Sequence, residues 1–297
     1  MKANEVNVKK FGYTHLAYSF GSISGNGELE PYYGSTTEFE QYKLFNSMKN
    51  TNPGLKTLIA VGGWTFDQKR FVDVSNDPAR RIKFAKSVVR FLETHKFDGI
   101  DLDWEYPVTR QGTPQDYDNY PLLCKALWEE FQSSGHPDWV ISIATTINPN
   151  SLALGYDMVK MAPWVTFFNM MSYDIAGAWD SLAGSLTDMQ YITNTMDHII
   201  WELEVPRDKL VLGMAAYARS MRLTQKGCTT QGCPISGAGL TGCQGEPGFL
   251  PYFDVIDKYV NTGNYDSLIT NPVTGSMEMV TGGGAQFTTF DSTGKRF

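Results

Sequence analysis

An α/β chain built from repeated βα units is what the sequence predicts, and three observations predict it. Short, nearly continuous apolar runs recur along the chain, as in strands buried on both faces of a parallel sheet. Segments with apolar residues at helical spacing fall between those runs. The alternation stops near Ala218, where a Gly-rich, Cys-bearing stretch without helical period begins. With 297 residues and 42% apolar content, the chain is long enough for one large core or two smaller ones.

The predicted strands cover residues 15–20, 57–61, 99–103, 140–145, 165–171 and 209–215. Six strands separated by helices make up most of a (β/α)8 TIM-barrel, here expected to be incomplete, with a doubly wound open sheet as the alternative. One helix opens at Asp77, a good N-cap, with Pro78 in its first position. Its apolar residues are Ile82, Ala85, Val88, Val89 and Leu92. A second helix, over residues 117–131, places Tyr120, Leu123, Leu127, Trp128 and Phe131 on one face. A third, over residues 188–203, does the same with Met189, Ile192, Met196, Ile199 and Leu203. The change of pattern divides the chain into a barrel-type domain, residues 1–217, and a small Gly/Cys-rich α+β insertion subdomain, residues 218–297. The latter holds a short helix over residues 252–260 and then hairpin-like sequence.

The net charge of −7 and pI of about 5.2 argue against a nucleic-acid backbone as partner, which calls for basic patches. No run reaches the roughly 18 apolar residues of a membrane span. Residues 1–10 are polar and lack the apolar stretch of a secretory signal. Aromatic content of 13% fills a core, and part of it is free to line a cleft that stacks on sugar rings. Three of the four Cys, Cys228, Cys233 and Cys243, share the Gly-rich stretch. Disulfides and an oxidising compartment are the first reading, and a zinc site the second. Zinc needs four ligands, and His15, His95, His136 and His198 are all remote in sequence. Cys124 lies on the apolar face of the second helix and is expected to be a buried thiol.

Asp101, Asp103 and Glu105 carry the chemistry. Residues two apart in a strand point to one side, so Ile100, Leu102 and Trp104 face the helices instead. Three carboxylates aimed at one volume repel one another, and at least one pKa should rise. A raised pKa suits a general acid near neutral pH, and the carboxyl end of a barrel strand is where barrels place catalysis. A divalent-metal site and a solvated acidic strand end are the rival readings.

The segment Asp98-Gly99-Ile100-Asp101-Leu102-Asp103-Trp104-Glu105 resembles the D-x-x-D-x-D-x-E signature of glycoside hydrolase family 18, the chitinases and their relatives. Further motifs follow the same family in order. Gly62-Gly63-Trp64 resembles its Gly-Gly-Trp segment, Met171-Ser172-Tyr173-Asp174 its Met-x-Tyr-Asp motif, and Tyr217-Ala218-Arg219 its Tyr-Gly-Arg motif with Ala in place of Gly. The Cys-rich stretch after Arg219 looks most like fungal chitinases related to killer-toxin subunits.

The resemblance implies catalytic roles for Glu105, Asp103, Asp101 and Tyr173. Glu105 would protonate the glycosidic oxygen while the substrate's own N-acetyl carbonyl attacks, a substrate-assisted exception to the two-carboxylate scheme. Asp103 would orient the acetamido group, Asp101 would share a proton with Asp103, and Tyr173 would hydrogen-bond the acetamido oxygen. Gly63, Trp64, Tyr106, Met171, Asp174, Trp179, Tyr217 and Arg219 would form the substrate-binding set. Asp98 is expected to be structural, holding a turn. No metal or cofactor is implied. The implied partner is chitin or chito-oligosaccharides, for an extracellular monomer. The resemblance also implies one barrel strand ahead of residues 15–20 and an eighth beyond Phe297, so six of eight strands are visible and truncation at both ends is expected. A chitin-binding protein without turnover and a metal-dependent barrel enzyme are the competing functions.

Overall fold

The computed structural model describes residues 6–292, which fall into two compact units. The first comprises residues up to Met170 together with Leu203–Val211, and the second Met171–Glu202 together with the chain from Leu212 onward.

The first unit carries a curled, mostly parallel sheet. Its strands are β1 (His15–Ile23), β2 (Leu29–Pro31), β3 (Lys56–Gly62), β4 (Gly99–Asp103), β5 (Val140–Thr146), β6 (Phe167–Met171) and β7 (Leu210–Leu212). Their order is β2-β1-β3-β4-β5-β6-β7. Strands β1 and β3, β3 and β4, and β4 and β5 pair in parallel, and β2 folds back antiparallel on β1. Apart from β2, spatial order follows chain order without reversal. A doubly wound sheet reverses at a switch point, so the barrel-type reading holds and the alternative does not. All six predicted strands are present. The last is shorter than expected, because the chain leaves the sheet at Gly213, whose carbonyl accepts from Ser172 Oγ at 2.7 Å.

Helices α1 (Val8–Phe11), α2 (Thr36–Ser47), α3 (Lys69–Ser75), α4 (Pro78–His95), α5 (Asp116–Ser133), α6 (Pro149–Gly155) and α7 (Met158–Met161) belong to this unit. The Asp77 carboxylate caps α4 by accepting from Ala79 N and Arg80 N, with Pro78 in the first turn as expected. The buried stripe of α4 is Phe84, Ala85, Val88, Val89, Phe91 and Leu92. Ile82, expected on that stripe, is 53% exposed, because it lies off the centre set by the two Phe residues. On α5 the Trp128 ring is also partly exposed and packs on Trp164 at 5.3 Å instead of entering the core. Cys124 is fully buried on that helix, and burial pushes its thiol pKa up. Ile100, Leu102 and Trp104 are all fully buried. Trp104 stacks on Phe71 of α3 at 5.2 Å and tilts against Tyr120 of α5 at 5.0 Å.

The second unit holds α8 (Met189–Asp197), which is capped by Asp188 and continues into a π-helical turn, His198–Glu202. The helix expected over residues 188–203 is therefore real but changes pitch near its end. A six-stranded antiparallel sheet follows. Its strands are β8 (Tyr217–Leu223), β9 (Ile235–Ala238), β10 (Phe249–Pro251), β11 (Ser267–Thr270), β12 (Met277–Thr281) and β13 (Gln286–Phe290), with α9 (Tyr252–Val255) between β10 and β11. Alternation puts Met221, Val280 and Phe287 in one apolar cluster and Ala218, Met279 and Phe290 in another. The expected domain limit between residues 217 and 218 falls inside β8. Cys228 and Cys233 form a disulfide, which consumes two of the thiols a zinc site would need, and Cys243 is an exposed free thiol. Among the described residues no helix is long and apolar enough to cross a membrane.

Asp98 joins β3 to the start of β4. Its Oδ2 accepts from Thr57 N (2.8 Å), Thr57 Oγ1 (3.0 Å) and Lys49 Nζ (2.8 Å), and its own N–H donates to Thr57 O at 2.7 Å. Thr57 is fully buried, so loss of the carboxylate removes the acceptor of its N–H. Replacing Asp98 by Ala is expected to lower unfolding free energy by about 1–3 kcal/mol, with Asp98→Asn intermediate. Urea denaturation checks this as a lower midpoint at unchanged slope.

Candidate active site

Cross-strand register decides which groups the carboxylates meet. Asp101 lies opposite Ala60 on β3 and Ser142 on β5, and Asp103 lies opposite Gly62. Asp101 is buried, and its Oδ1 accepts from Ser142 Oγ and from Asn169 Nδ2, the latter at 2.9 Å. Burial raises its pKa, and those two donors act in the opposite sense. Asp103 has no such support. Its Oδ1 is buried without a hydrogen-bond partner among the described residues. Burial first, then the charges of Glu105 and Asp101, push its pKa up to about 8. The expected rise is thus present, and it falls on the middle carboxyl.

Strand β4 ends at Asp103, so Glu105 is not strand-borne as the spacing suggested. It sits in the bend beyond. The alternation persists because buried Trp104 anchors the extension, and Tyr156 Oη donates to Trp104 O at 2.9 Å. Glu105 is half-buried. Its N–H donates to Gln68 Oε1 at 3.2 Å and its carbonyl accepts from Arg110 Nη1 at 3.1 Å.

The two glycines after β3 are needed where they stand. Gly62 has φ +115°, and a Cβ there would lie 2.0 Å from Asp103 O. Gly63 has φ +90°, donates its N–H to Asp103 O at 2.8 Å, and faces the Phe20 ring too closely for any side chain. Trp64 follows with 60% of its surface exposed, and the Arg110 guanidinium lies 3.8 Å from its ring centre. Gly63, Trp64, Asp101, Asp103, Glu105 and Tyr106 all belong to the first unit.

Met171, Tyr173, Asp174, Trp179, Tyr217 and Arg219 belong to the second. There Arg219 forks onto Asp174, Nε to Oδ1 at 2.8 Å and Nη2 to Oδ2 at 2.9 Å, with Glu246 at 3.4 Å from Nη1. The guanidinium lies between 5.3 and 5.4 Å from the ring centres of Trp179, Tyr217 and Phe249. Tyr217 stacks on Phe249 at 4.9 Å and meets Tyr173 edge-on at 6.1 Å. Burial, then the Asp174 charge and hydrogen bond, raise the Tyr217 phenol well above its usual range. Trp179 is 58% exposed and folds back over Gly177, where a Cβ would meet its ring at 2.3 Å. Met171 closes β6.

Five residues that the motifs did not point to complete the first-unit cluster: Ser142, Asn169, Gln68, Arg110 and Tyr156. Ser142 and Asn169 left a signal, as polar residues inside apolar strands. Among the described residues, no three His, Cys, Asp or Glu side chains are arranged to hold a metal ion.

The first unit thus brings parallel barrel-type strands, a carboxylate cluster, a glycine turn and an exposed Trp together. The family profile "Glycosyl hydrolases family 18" matches residues 2–295, and the chain belongs to that family. Mouse chitotriosidase-1 is 33% identical over 260 residues, 81% of this chain and 55% of that protein. A sheep oviduct-specific glycoprotein is 30% identical over 260 residues, 84% of this chain and 48% of that protein. The chain therefore spans about half the length of these relatives. The crystal structure of Ostrinia furnacalis group IV chitinase in complex with allosamidin superposes with a TM-score of 0.91 at 26% identity, covering 98% of this chain and 80% of the other.

The Asp103 shift carries a sign. From about pH 4, the ordinary carboxyl value, to about pH 8, the native state holds a proton that the unfolded chain releases. Native stability contributed at this position is therefore full below that window, falls as pH rises through it, and levels off above it. Asp103→Asn removes the titration. Urea unfolding across this range should show the variant gaining stability over wild type as pH rises, with the difference constant above about pH 8.

Proposed function

We propose that the chain hydrolyses β-1,4-linked N-acetylglucosamine polymers, chitin and chito-oligosaccharides, by a substrate-assisted retaining mechanism. The observation that carries the reading is the Asp103 carboxyl, whose Oδ1 is buried without a donor among the described residues and whose pKa is raised to about 8 beside Glu105. A buried acceptor without a donor is costly, and an acetamido N–H is the kind of group that satisfies it. The names of the relatives support the substrate class, as does allosamidin in the Ostrinia chitinase.

In this mechanism Glu105 gives its carboxyl proton to the glycosidic oxygen as the C1–O bond breaks. The acetamido carbonyl oxygen bonds to C1 from the opposite face, and the resulting oxazolinium carries the positive charge. Asp103 releases its proton to solvent as substrate binds, accepts from the acetamido N–H and stabilises that charge as its ionised form, with Asp101 behind it. Water, deprotonated by the Glu105 carboxylate, then opens the ring with net retention. Tyr173 hydrogen-bonds the acetamido oxygen. Trp64, Tyr106 and Trp179 contact sugar, and Gly63, Met171, Asp174, Tyr217 and Arg219 bind it or brace the residues that do. The same reading takes the chain as an extracellular monomer, with residues 218–297 as the insertion subdomain of a killer-toxin-like subgroup.

Release of chromophore from a chitobioside tests the proposal. Wild type is expected to turn over, Glu105→Gln to lose about 10²–10⁴-fold in kcat, and EDTA to have no effect. A well-folded wild type that binds chito-oligosaccharide without turnover would identify a lectin-like protein instead. Loss of activity with EDTA would point to the metal-dependent alternative.

A further inference from the structure

Glu105 lies past the last residue of β4, so the parallel ladder no longer holds its peptide groups. Half-buried backbone groups must still be paired. Two side chains meet that need at Glu105. Gln68 is 1% exposed and all its polar capacity is directed at backbone. Its Oε1 accepts from Glu105 N at 3.2 Å, while its Nε2 donates to Gly63 O at 2.8 Å and to Phe66 O at 3.1 Å. Arg110 takes the other side of the same residue. Its Nη1 donates to Glu105 O at 3.1 Å and to Trp64 O at 2.9 Å, with the guanidinium over the Trp64 ring, 3.8 Å from its centre.

Each side chain thus bridges Glu105 to the turn after β3, one through Gly63 and the other through Trp64. We infer that Gln68 and Arg110 form a clasp that positions the acid Glu105 and locks it to the Trp64 platform, an inference that rests on the hydrolase reading. Neither side chain is assigned a proton to move or a substrate atom to touch. Their effect comes through the two peptide groups that flank the Glu105 Cα, which set where its carboxyl stands against a scissile oxygen. Arg110 also makes the clasp two-ended, because its contacts with Trp64 hold the exposed ring in the same unit as the acid.

The test uses Gln68→Met, which keeps length and removes both polar groups, and Arg110→Met, at a half-exposed position where loss of fold is not expected. Each should lower kcat on the chitobioside by about 10- to 100-fold, since misplacing a catalytic group by about 1 Å costs on that order, with KM little changed. The double variant should lose less than the product of the two, because both act on one residue. In a Glu105→Gln background neither should change the residual rate, an outcome that a merely structural role does not produce. Exchange of the Glu105 amide should speed up in Gln68→Met. Wild-type kcat in both folded variants, or an undiminished loss in the Glu105→Gln background, overturns the clasp while leaving the hydrolase reading intact. A folded wild type without turnover sinks the hydrolase reading, and amide exchange then decides the clasp alone: faster exchange in Gln68→Met keeps it, and unchanged exchange removes it.

Discussion

Burial of Trp104 is the constraint on which the carboxylate cluster depends. Its ring fills the space between Phe71 and Tyr120, and full burial of so large a side chain contributes several kcal/mol in the usual area relation. With Ile100 and Leu102 also fully buried, the chain from residue 99 to 105 has no freedom to rotate. A slip of one residue would bring three carboxylates into the apolar layer and expose the Trp. The apolar half of the motif thus enforces the orientation of the acidic half.

Within that frame the carboxyls are made unequal by their neighbours. Asp101 receives two side-chain donors because Ser142 stands opposite it in register and Asn169 reaches it from β6. Asp103 stands opposite Gly62, which has no side chain to offer. Burial raises both pKa values, and only Asp101 has side-chain donors that oppose the rise. Glu105 is distinguished by its place outside the ladder. Three chemically similar groups acquire three environments from strand register and strand length.

The parallel strands were legible because burial on both faces writes a continuous apolar run, and β4 matched its expected limits to the residue. The helices were legible from period, but Ile82 and Trp128 show its limit. An apolar residue on the edge of a stripe goes in or out according to the partner it meets, and for Trp128 that partner is another Trp. Strand β2 went unseen because three residues carry no period. Gln68 and Arg110 went unseen because their bonds are to backbone, which leaves no pattern in the spacing of side-chain types. The motifs therefore located the acidic residues well and the residues that brace them poorly.

The formal charge of −7 counts every carboxyl as ionised. With a pKa of about 8, Asp103 is mostly neutral at physiological pH, so this chain carries a stored proton in its acidic cluster. A ligand that favours the ionised form must expel that proton to solvent. The heat of such an association then includes the ionisation enthalpy of whatever buffer takes it up. Two buffers at one pH would report two enthalpies for a single binding event, and their difference counts the protons released.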